Sequence, residues 1–201
     1  MSNGKTESQL PDFNRIVELA ELTPVACGPV RDAQRARVSF LSAACFHFII
    51  GCVMLVFVDM DGVVSDFEGH IAELYGKPMS EMTNKEKDKF WDAECVSHRF
   101  FANSPPIPEG LEFVKRVEDA GIEMAFLTST GGDLQHIDIA KQKLDFLQRH
   151  GMGHLPVAFT TGTKSKASFA KPGCILVDDR EKVVTAFRER GGVAHLFTRD
   201  N

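Results

Sequence analysis

From residue 53 onward, short apolar runs alternate with amphipathic stretches. The runs are four to six residues long and rich in aliphatic side chains, a pattern typical of fully buried strands. They cover residues 53–58, 122–127, 155–159, 174–177 and 193–197. Because such runs lack a regular polar alternation, they predict one parallel sheet rather than an antiparallel sheet with a solvated face.

The stretches between the runs predict helices, because apolar residues recur there at spacings of three and four. These helices are expected over residues 65–75, 109–120, 133–150 and 181–190. The expected inward faces are Phe67, Ile71, Leu74 and Tyr75 in the first helix, Leu111, Val114 and Val117 in the second, and Leu134, Ile137, Leu144 and Leu147 in the third. The alternation predicts an α/β fold, a Rossmann-like doubly wound parallel sheet with helices on both faces.

A small helical insertion is predicted after the first strand, over about residues 65–107. Residues 79–101 are expected to be helical, with a charged run, EMTNKEKDKF, that ends just before Trp91. A proline-rich hinge over residues 103–108 then leads back to the sheet. The aromatic side chains of the insertion are typical of a core, and the alternative is a base-stacking role, for which Phe67 and Trp91 are the candidates.

Residues 1–52 predict a separate, poorly ordered extension in front of a core over residues 53–201. Residues 39–58 together approach the length of a membrane span. However, residues 53–58 are better used as a strand of the sheet, so a membrane anchor is the alternative rather than the preferred interpretation.

Composition narrows the class of protein further. The 201 residues carry a formal net charge of −5, which gives no reason to expect a nucleic acid or an anionic membrane as a partner. The five cysteines are odd in number, widely spread and without a CxxC pair. That pattern favours reduced thiols in the cytoplasm over a disulfide framework or a zinc site.

The first strand runs directly into two aspartates. Residues 53–64 have the sequence VMLVFVDMDGVV, so Asp59 and Asp61 are two residues apart and point the same way in an extended chain. An EF-hand calcium loop does not fit this sequence, because its fifth, sixth and twelfth positions are Val63, Val64 and His70. Ligand sites of parallel sheets lie beyond the carboxyl ends of strands, so this pair is a candidate site.

Two further strands also end in polar residues, which are expected at the same edge of the sheet. The pairs are Thr128 with Ser129 and Asp178 with Asp179. The loop before the last pair contains Lys164 and Lys166. Three strands that each end in chemically active side chains are not explained by folding requirements alone.

With these four features, the chain resembles the haloacid dehalogenase superfamily of aspartate-nucleophile phosphohydrolases. FVDMDGVV resembles the first motif of that superfamily, LTST the second, a lysine of TKSKASFAKPG the third and ILVDDR the fourth. FFANSPPIPEG and KPGCILVDDR further resemble the 5'(3')-deoxyribonucleotidase group and its phage and bacterial relatives. The resemblance covers roughly residues 53–201 and implies a core with a helical cap.

The resemblance implies a role for each aspartate. Asp59 would be the nucleophile that forms an aspartyl-phosphate. Asp61 would protonate the leaving alkoxide and then take a proton from the attacking water. Mg²⁺ would be held by Asp59, the backbone carbonyl of Asp61, Asp178 and Asp179.

The resemblance also implies the groups that bind phosphate. Thr128 and Ser129 would hold phosphoryl oxygens, and a lysine would neutralise the charge of the nucleophile and the phosphate. Lys166 is preferred over Lys164 as that lysine, because its spacing to the AKPG turn matches the resembling relatives better. Gly131 and Gly132 are expected to start the next helix rather than to aid the approach of phosphate. Arg180 is expected to form a structural ion pair rather than to bind substrate.

The implied activity is magnesium-dependent hydrolysis of a small phosphorylated metabolite, a nucleoside or deoxynucleoside monophosphate. Two alternatives stay open: a phosphatase for another small phosphometabolite, and a non-catalytic phospholigand-binding or membrane-tethered module on the same fold. The presence of Asp61 favours phosphoryl transfer over dehalogenation, because the dehalogenase branch lacks this second aspartate. The oligomeric state is not indicated by the sequence.

Overall fold

A computed structural model describes residues 55–131 and 136–199, without the side chains of His136 and Thr163. In this part of the chain five strands form one parallel sheet in the order β3-β2-β1-β4-β5. They are β1 (Leu55–Val58), β2 (Met124–Ser129), β3 (Val157–Thr160), β4 (Cys174–Asp178) and β5 (Val193–Leu196). The predicted α/β fold is therefore confirmed, although β2 and β4 extend into the polar residues that were expected to follow them.

Helices cover both faces of this sheet. The α-helices are α1 (Phe67–Tyr75), α2 (Asn84–Lys89), α3 (Cys95–Ser97), α4 (Phe100–Asn103), α5 (Pro108–Asp119), α6 (His136–Arg149) and α7 (Glu181–Glu189). Alternate residues of β1 serve two cores: Val56 and Val58 lie in the cluster that includes α5 and α6, and Leu55 and Phe57 in the cluster that includes α7. This alternation is the period of two expected of a strand that is buried on both faces.

The order of the strands places a topological switch point between β1 and β4. The chain runs from β1 outward through β2 and β3, then returns to pair β4 with the other side of β1. Ligands of doubly wound sheets bind in the crevice outside the carboxyl ends of such neighbouring strands. Asp59 directly follows β1 and Asp178 ends β4, so both side chains lie at this crevice.

The insertion after β1 is more broken than predicted. In place of the single helical stretch expected over residues 79–101, the chain forms a 3-10 turn (Met79–Glu81), α2, a π-helical turn (Phe90–Glu94), α3 and α4. Thr83 starts α2 through a capping box with Glu86, and Arg99 adopts a left-handed conformation before α4. The charged sequence has no continuous apolar stripe whose packing would stabilise one long helix. These local features therefore interrupt the helix.

Two predicted inward positions are wrong, because Leu74 of α1 and Ile137 of α6 are each 51% exposed. In α6 the buried face instead includes Ile139, Lys143 and Phe146, at spacings of four and three. The helix is therefore rotated from the predicted face, and a lysine lies in its buried stripe.

Leu147 of α6 is buried as predicted. Leu134 lies outside the described residues.

In the described residues, no helix has the length and apolar character that a membrane span requires. The predictions for residues 1–52, both the poorly ordered extension and the alternative membrane anchor, lie outside the described residues. Cys95 and Cys174 form no disulfide among the described residues. Cys27, Cys45 and Cys52 lie outside the described part of the chain.

Asp66 ties the start of α1 to the last described residue. Its Oδ1 accepts a hydrogen bond from the backbone N–H of Gly69 at 3.0 Å, as an N-cap does. The same oxygen is 2.8 Å from Nη2 of Arg199. The hydrogen bond from Arg199 lowers the pKa of Asp66, while partial burial opposes that shift.

We expect Asp66→Ala to lower the free energy of unfolding by about 1 kcal/mol, because α1 loses its N-cap. Asp66→Asn keeps a capping oxygen and loses only the charge, so its effect is smaller. The pKa of Asp66 is depressed in the folded state, so its charge stabilises the fold near neutral pH. The difference in the free energy of unfolding between the wild type and Asp66→Asn is therefore lost as the pH falls through that pKa. Chemical denaturation measures both effects, and equal stability of Asp66→Ala and wild type would refute the capping role.

Candidate active site

A pocket of about 240 Å³ opens at the carboxyl ends of the strands. The ionisable side chains that line it are Asp59, Asp61, Lys166 and Arg180. Ser129, Thr130, Gly131 and Gly162 contribute a part of the lining made of small residues, and Phe67, Trp91 and Phe101 contribute an aromatic part. The pocket therefore combines residues of three strand ends with residues of the helical insertion.

Lys166 lies between two carboxylates at the switch point. Its Nζ is 2.5 Å from Oδ2 of Asp59 and 2.8 Å from Oδ2 of Asp178, and the lysine side chain is 1% exposed. Burial disfavours the charged ammonium, but the charges of the two aspartates outweigh it and hold the pKa of Lys166 above its usual value. Oδ1 of Asp59 accepts a hydrogen bond from the Met60 N–H at 2.7 Å, which fixes the orientation of this carboxylate.

Asp59, Asp178 and Asp179 each place a carboxylate oxygen within 4.8 Å of the others. Burial raises the pKa of Asp178 to about 6 and that of Asp179 to about 7, and the charge of Asp59 adds to both shifts. Oδ1 of Asp179 is also buried without a hydrogen-bond partner among the described residues. Crowded carboxylates with a free oxygen are the donor set that a hard divalent cation prefers, so these residues fit a metal ion.

Gly62 makes this convergence possible. Its φ is +80°, a left-handed conformation, and an added Cβ would lie 2.0 Å from Oδ2 of Asp179. Any side chain at this position would push Asp179 away from the other two aspartates. The glycine in the sequence Asp-Met-Asp-Gly is therefore required both for the turn and for the close approach of the carboxylate.

Asp61 has a partner that sequence reasoning missed. Lys143 of α6 donates from Nζ to Oδ2 of Asp61 at 2.6 Å and to Oγ1 of Thr128 at 2.7 Å. Thr128 itself is fully buried and is not among the described residues that line the pocket. Its hydroxyl is thus directed to Lys143, which argues against the predicted contact between Thr128 and phosphate.

The remaining residues that were predicted to bind phosphate differ in whether they line the pocket. Ser129 lines the pocket, whereas Lys164 is exposed on the 3-10 helix Thr163–Phe169 that also carries the buried Lys166. Gly131 also lines the pocket, and its N–H donates to the Ser129 hydroxyl at 3.4 Å. Gly132 lies outside the described residues.

The aromatic part of the lining comes from the insertion. The rings of Phe67 and Trp91 are nearly parallel, at 17°, with centroids 6.2 Å apart, and Phe101 is within 6.3 Å of both. Phe67 and Phe101 are also buried in the core of the insertion. The same side chains stabilise the insertion and face the pocket. A role in the core therefore does not exclude a base-stacking role for these aromatic residues.

Three lining or supporting residues were missed or assigned differently from the sequence. Lys143 was not named as a candidate, because the apolar spacing was counted through Ile137; counting through Ile139 and Phe146 places this lysine in a buried stripe. Phe101 was not separated from the other aromatic residues of the insertion by any local pattern. Arg180 was expected in a structural ion pair, but it lines the pocket.

Among the solved structures that are similar to this chain are three hydrolases of low sequence identity. A hydrolase from Pseudomonas syringae is 12% identical over 71% of this chain and 82% of that chain, with a TM-score of 0.45. L-2-haloacid dehalogenase from Xanthobacter autotrophicus is 8% identical over 74% and 79%, with a TM-score of 0.48. A HAD family hydrolase from Deinococcus radiodurans R1 is 11% identical over 71% and 79%, with a TM-score of 0.42. These similarities carry no functional conclusion.

No curated protein sequence matches this chain. A family model does match: "5' nucleotidase, deoxy (Pyrimidine), cytosolic type C protein" covers residues 53–200, well over half of the chain. The match includes all the strands described above and every residue that lines the pocket. The chain therefore belongs to the cytosolic type C 5'-deoxynucleotidase family and is a phosphohydrolase of the haloacid dehalogenase superfamily.

Proposed function

We propose that the protein hydrolyses deoxynucleoside monophosphates in a magnesium-dependent reaction, with Asp59 as the nucleophile and Asp61 as the general acid and base. One observation supports the proposal: two groups of residues line the same pocket. They are a carboxylate–lysine cluster (Asp59, Asp61 and Lys166) and an aromatic wall (Phe67, Trp91 and Phe101). The cluster suits a phosphate group, and the wall suits a flat base. At about 240 Å³ the pocket accommodates a small metabolite rather than a polymer.

Asp59 is suited to attack a phosphorus atom. The carboxylate is almost fully buried, oriented by the Met60 N–H and paired with Lys166. A covalent aspartyl-phosphate divides a very slow hydrolysis into two easier displacements. Lys166 reduces the repulsion between the carboxylate and the phosphate as they approach, which is the preorganised electrostatic stabilisation that phosphoryl transfer requires.

Asp61 lies two residues further along and lines the same pocket. Its Oδ2 is held by Lys143, whereas its Oδ1 is buried and has no hydrogen-bond partner among the described residues. That oxygen is free to carry the proton that the leaving alkoxide needs. In the second displacement the same oxygen accepts a proton from the attacking water.

The cluster of Asp59, Asp178 and Asp179 would hold the magnesium ion, together with the backbone carbonyl of Asp61. When bound, the ion supplies positive charge that offsets the carboxylates and the phosphoryl oxygens. Ser129 and the backbone at Gly131 would contact the phosphoryl oxygens on the opposite side. We assign this contact to Ser129 rather than Thr128, because only Ser129 lines the pocket.

The aromatic wall supports a nucleotide over other small phosphometabolites. Stacking of a base on an aromatic side chain contributes about 1–3 kcal/mol per base, and it depends on a flat partner. Phe67, Trp91 and Phe101 offer such a surface at the pocket that also holds Asp59. A sugar phosphate without a base would leave this wall unused.

The function is tested by phosphate release from a panel of deoxy- and ribonucleoside 5'- and 3'-monophosphates, sugar phosphates and p-nitrophenyl phosphate, with and without Mg²⁺. We expect magnesium-dependent release that is fastest on deoxynucleotides, because they combine a phosphate with a base that can stack. Release only from sugar or aryl phosphates would keep the mechanism and refute the nucleotidase assignment. No release from any ester, by a folded protein with magnesium present, would favour a phospholigand-binding module.

Lys166 and Lys164 provide a matched pair, since they lie two residues apart on one 3-10 helix and only the first is buried. We expect Lys166→Met to lower kcat/KM by about 10²-fold or more, the usual loss for one preorganised electrostatic group. Lys164→Met should stay close to wild type because its side chain is solvated. Steady-state kinetics at saturating Mg²⁺ measures both, and an equal loss in the two variants would contradict the assignment of Lys166.

A further inference from the structure

Lys143 is a buried ionisable residue that the proposed reaction does not use. Its side chain is 1% exposed, on the face of α6 that also buries Ile139 and Phe146. A lysine is rarely buried to this extent unless its charge is paired, because the loss of hydration is costly. Its position therefore calls for a role that an apolar side chain of similar size would not provide.

The ammonium group of Lys143 joins three parts of the site. It donates to Oδ2 of Asp61 at 2.6 Å and to Oγ1 of Thr128 at 2.7 Å. It also lies 5.0 Å from the ring centroid of Phe101, within the range of a cation–π contact. The strand end of β2, the loop after β1 and the aromatic wall of the insertion thus meet at one charged group.

The geometry separates the two oxygens of Asp61. Oδ2 is taken by Lys143, while Oδ1 is buried and lacks a hydrogen-bond partner among the described residues. Among the residues that line the pocket, Asp61 is present and Lys143 is not. Lys143 therefore lies behind the carboxylate, where it acts on Asp61 rather than on a bound substrate.

We propose that Lys143 is a positioning residue that fixes the Asp61 carboxylate, so that its free Oδ1 faces the leaving-group oxygen and later the attacking water. The inference rests on the proposed function, in which Asp61 is the general acid and base. Thr128 contributes by holding the ammonium group from the other side. This role explains why Thr128, which follows four apolar residues in β2, keeps a hydroxyl that does not reach the pocket.

Asp61 transfers one proton in each of the two displacements. In the first displacement an Asp59 oxygen forms a bond to phosphorus, the ester P–O bond breaks, and the proton on Oδ1 of Asp61 passes to the leaving oxygen. In the second, the water oxygen forms a bond to phosphorus and the Asp59 O–P bond breaks. The water proton returns to Asp61, so the enzyme is regenerated.

A comparison of two esters isolates the role of Lys143. The alkoxide that leaves a nucleotide needs a proton, whereas the p-nitrophenolate ion leaves readily without one. The ratio kcat/KM reports the steps up to departure of the leaving group. We therefore expect Lys143→Met to lower kcat/KM by about 10²-fold for the deoxynucleotide and by less than about threefold for p-nitrophenyl phosphate. A burst of p-nitrophenol followed by slow turnover is also expected, because the water step still needs Asp61.

Two controls make the result specific. Lys141→Met changes an exposed lysine on the same helix, and it should behave as wild type with both esters. Asp61→Asn should lose activity on the nucleotide, and adding Lys143→Met to it should lower kcat/KM by less than about twofold, because residues that act as a unit are not additive. Thermal unfolding of each variant, followed by circular dichroism, reports whether it is folded.

The outcomes separate this inference from the proposed function. If the wild type releases phosphate from neither ester, the proposed function is wrong. If the wild type is active and Lys143→Met loses equal activity on both esters, or adds its full effect to Asp61→Asn, Lys143 contacts phosphate or is only structural, and the inference is wrong. If Lys143→Met does not fold, Lys143→Gln is measured in its place; failure of both to fold would show a structural role and refute the inference.

Discussion

The buried ion cluster of Lys166 with Asp59 and Asp178 is the interaction on which the site depends. Three carboxylates converge at the carboxyl ends of β1 and β4, and a convergence of like charges in a buried crevice is unfavourable unless a cation offsets it. Lys166 supplies one positive charge from the loop before β4. Burial is the main cause of the raised pKa values of Asp178 and Asp179, and the charge of Asp59 adds to both shifts, so the cluster fits a further cation.

The sheet provides the rigid frame that such a cluster needs. Asp59 and Asp178 lie at the ends of neighbouring parallel strands that are buried on both faces, so their backbone positions are fixed by the two cores. The groups expected to recognise substrate come instead from the helical insertion, which has its own aromatic cluster. Chemistry on the frame and recognition on an inserted segment would allow the substrate to vary while the reaction stays the same.

Much of the site could be predicted from the sequence, because many of its residues lie at the ends of strands that the apolar runs predict. The candidate aspartates and Ser129 come at the ends of short apolar runs, and parallel strands bring those ends to one edge. Lys166 could be chosen over Lys164 only through resemblance, since both lie in the same polar loop. The structure buries one and exposes the other, a difference that no local pattern of this loop contains.

Other features could not be predicted because they depend on packing between distant segments. The rotation of α6 is set by the insertion, whose core includes Ile139, and this rotation buries Lys143 beside Asp61. The breaks in the insertion lie at the capping box of Thr83 and at the left-handed Arg99. In the sequence alone, neither feature outweighs the helical propensity of the charged run, so a continuous helix is predicted there. Phe101 reaches the pocket only because α4 packs against α6.

The most direct test of the account is to identify the residue that carries the phosphoryl group during turnover. Asp61→Asn, mixed with p-nitrophenyl phosphate and Mg²⁺ and quenched with acid, should hold the intermediate, because the leaving group needs no proton but the attacking water still needs a base. Mass spectrometry of the peptide that contains Asp59 should then show the added mass of one phosphoryl group on that residue. A phosphoryl group on any other residue, or steady release of phosphate without a phosphorylated peptide, would contradict the assignment of Asp59 as the nucleophile.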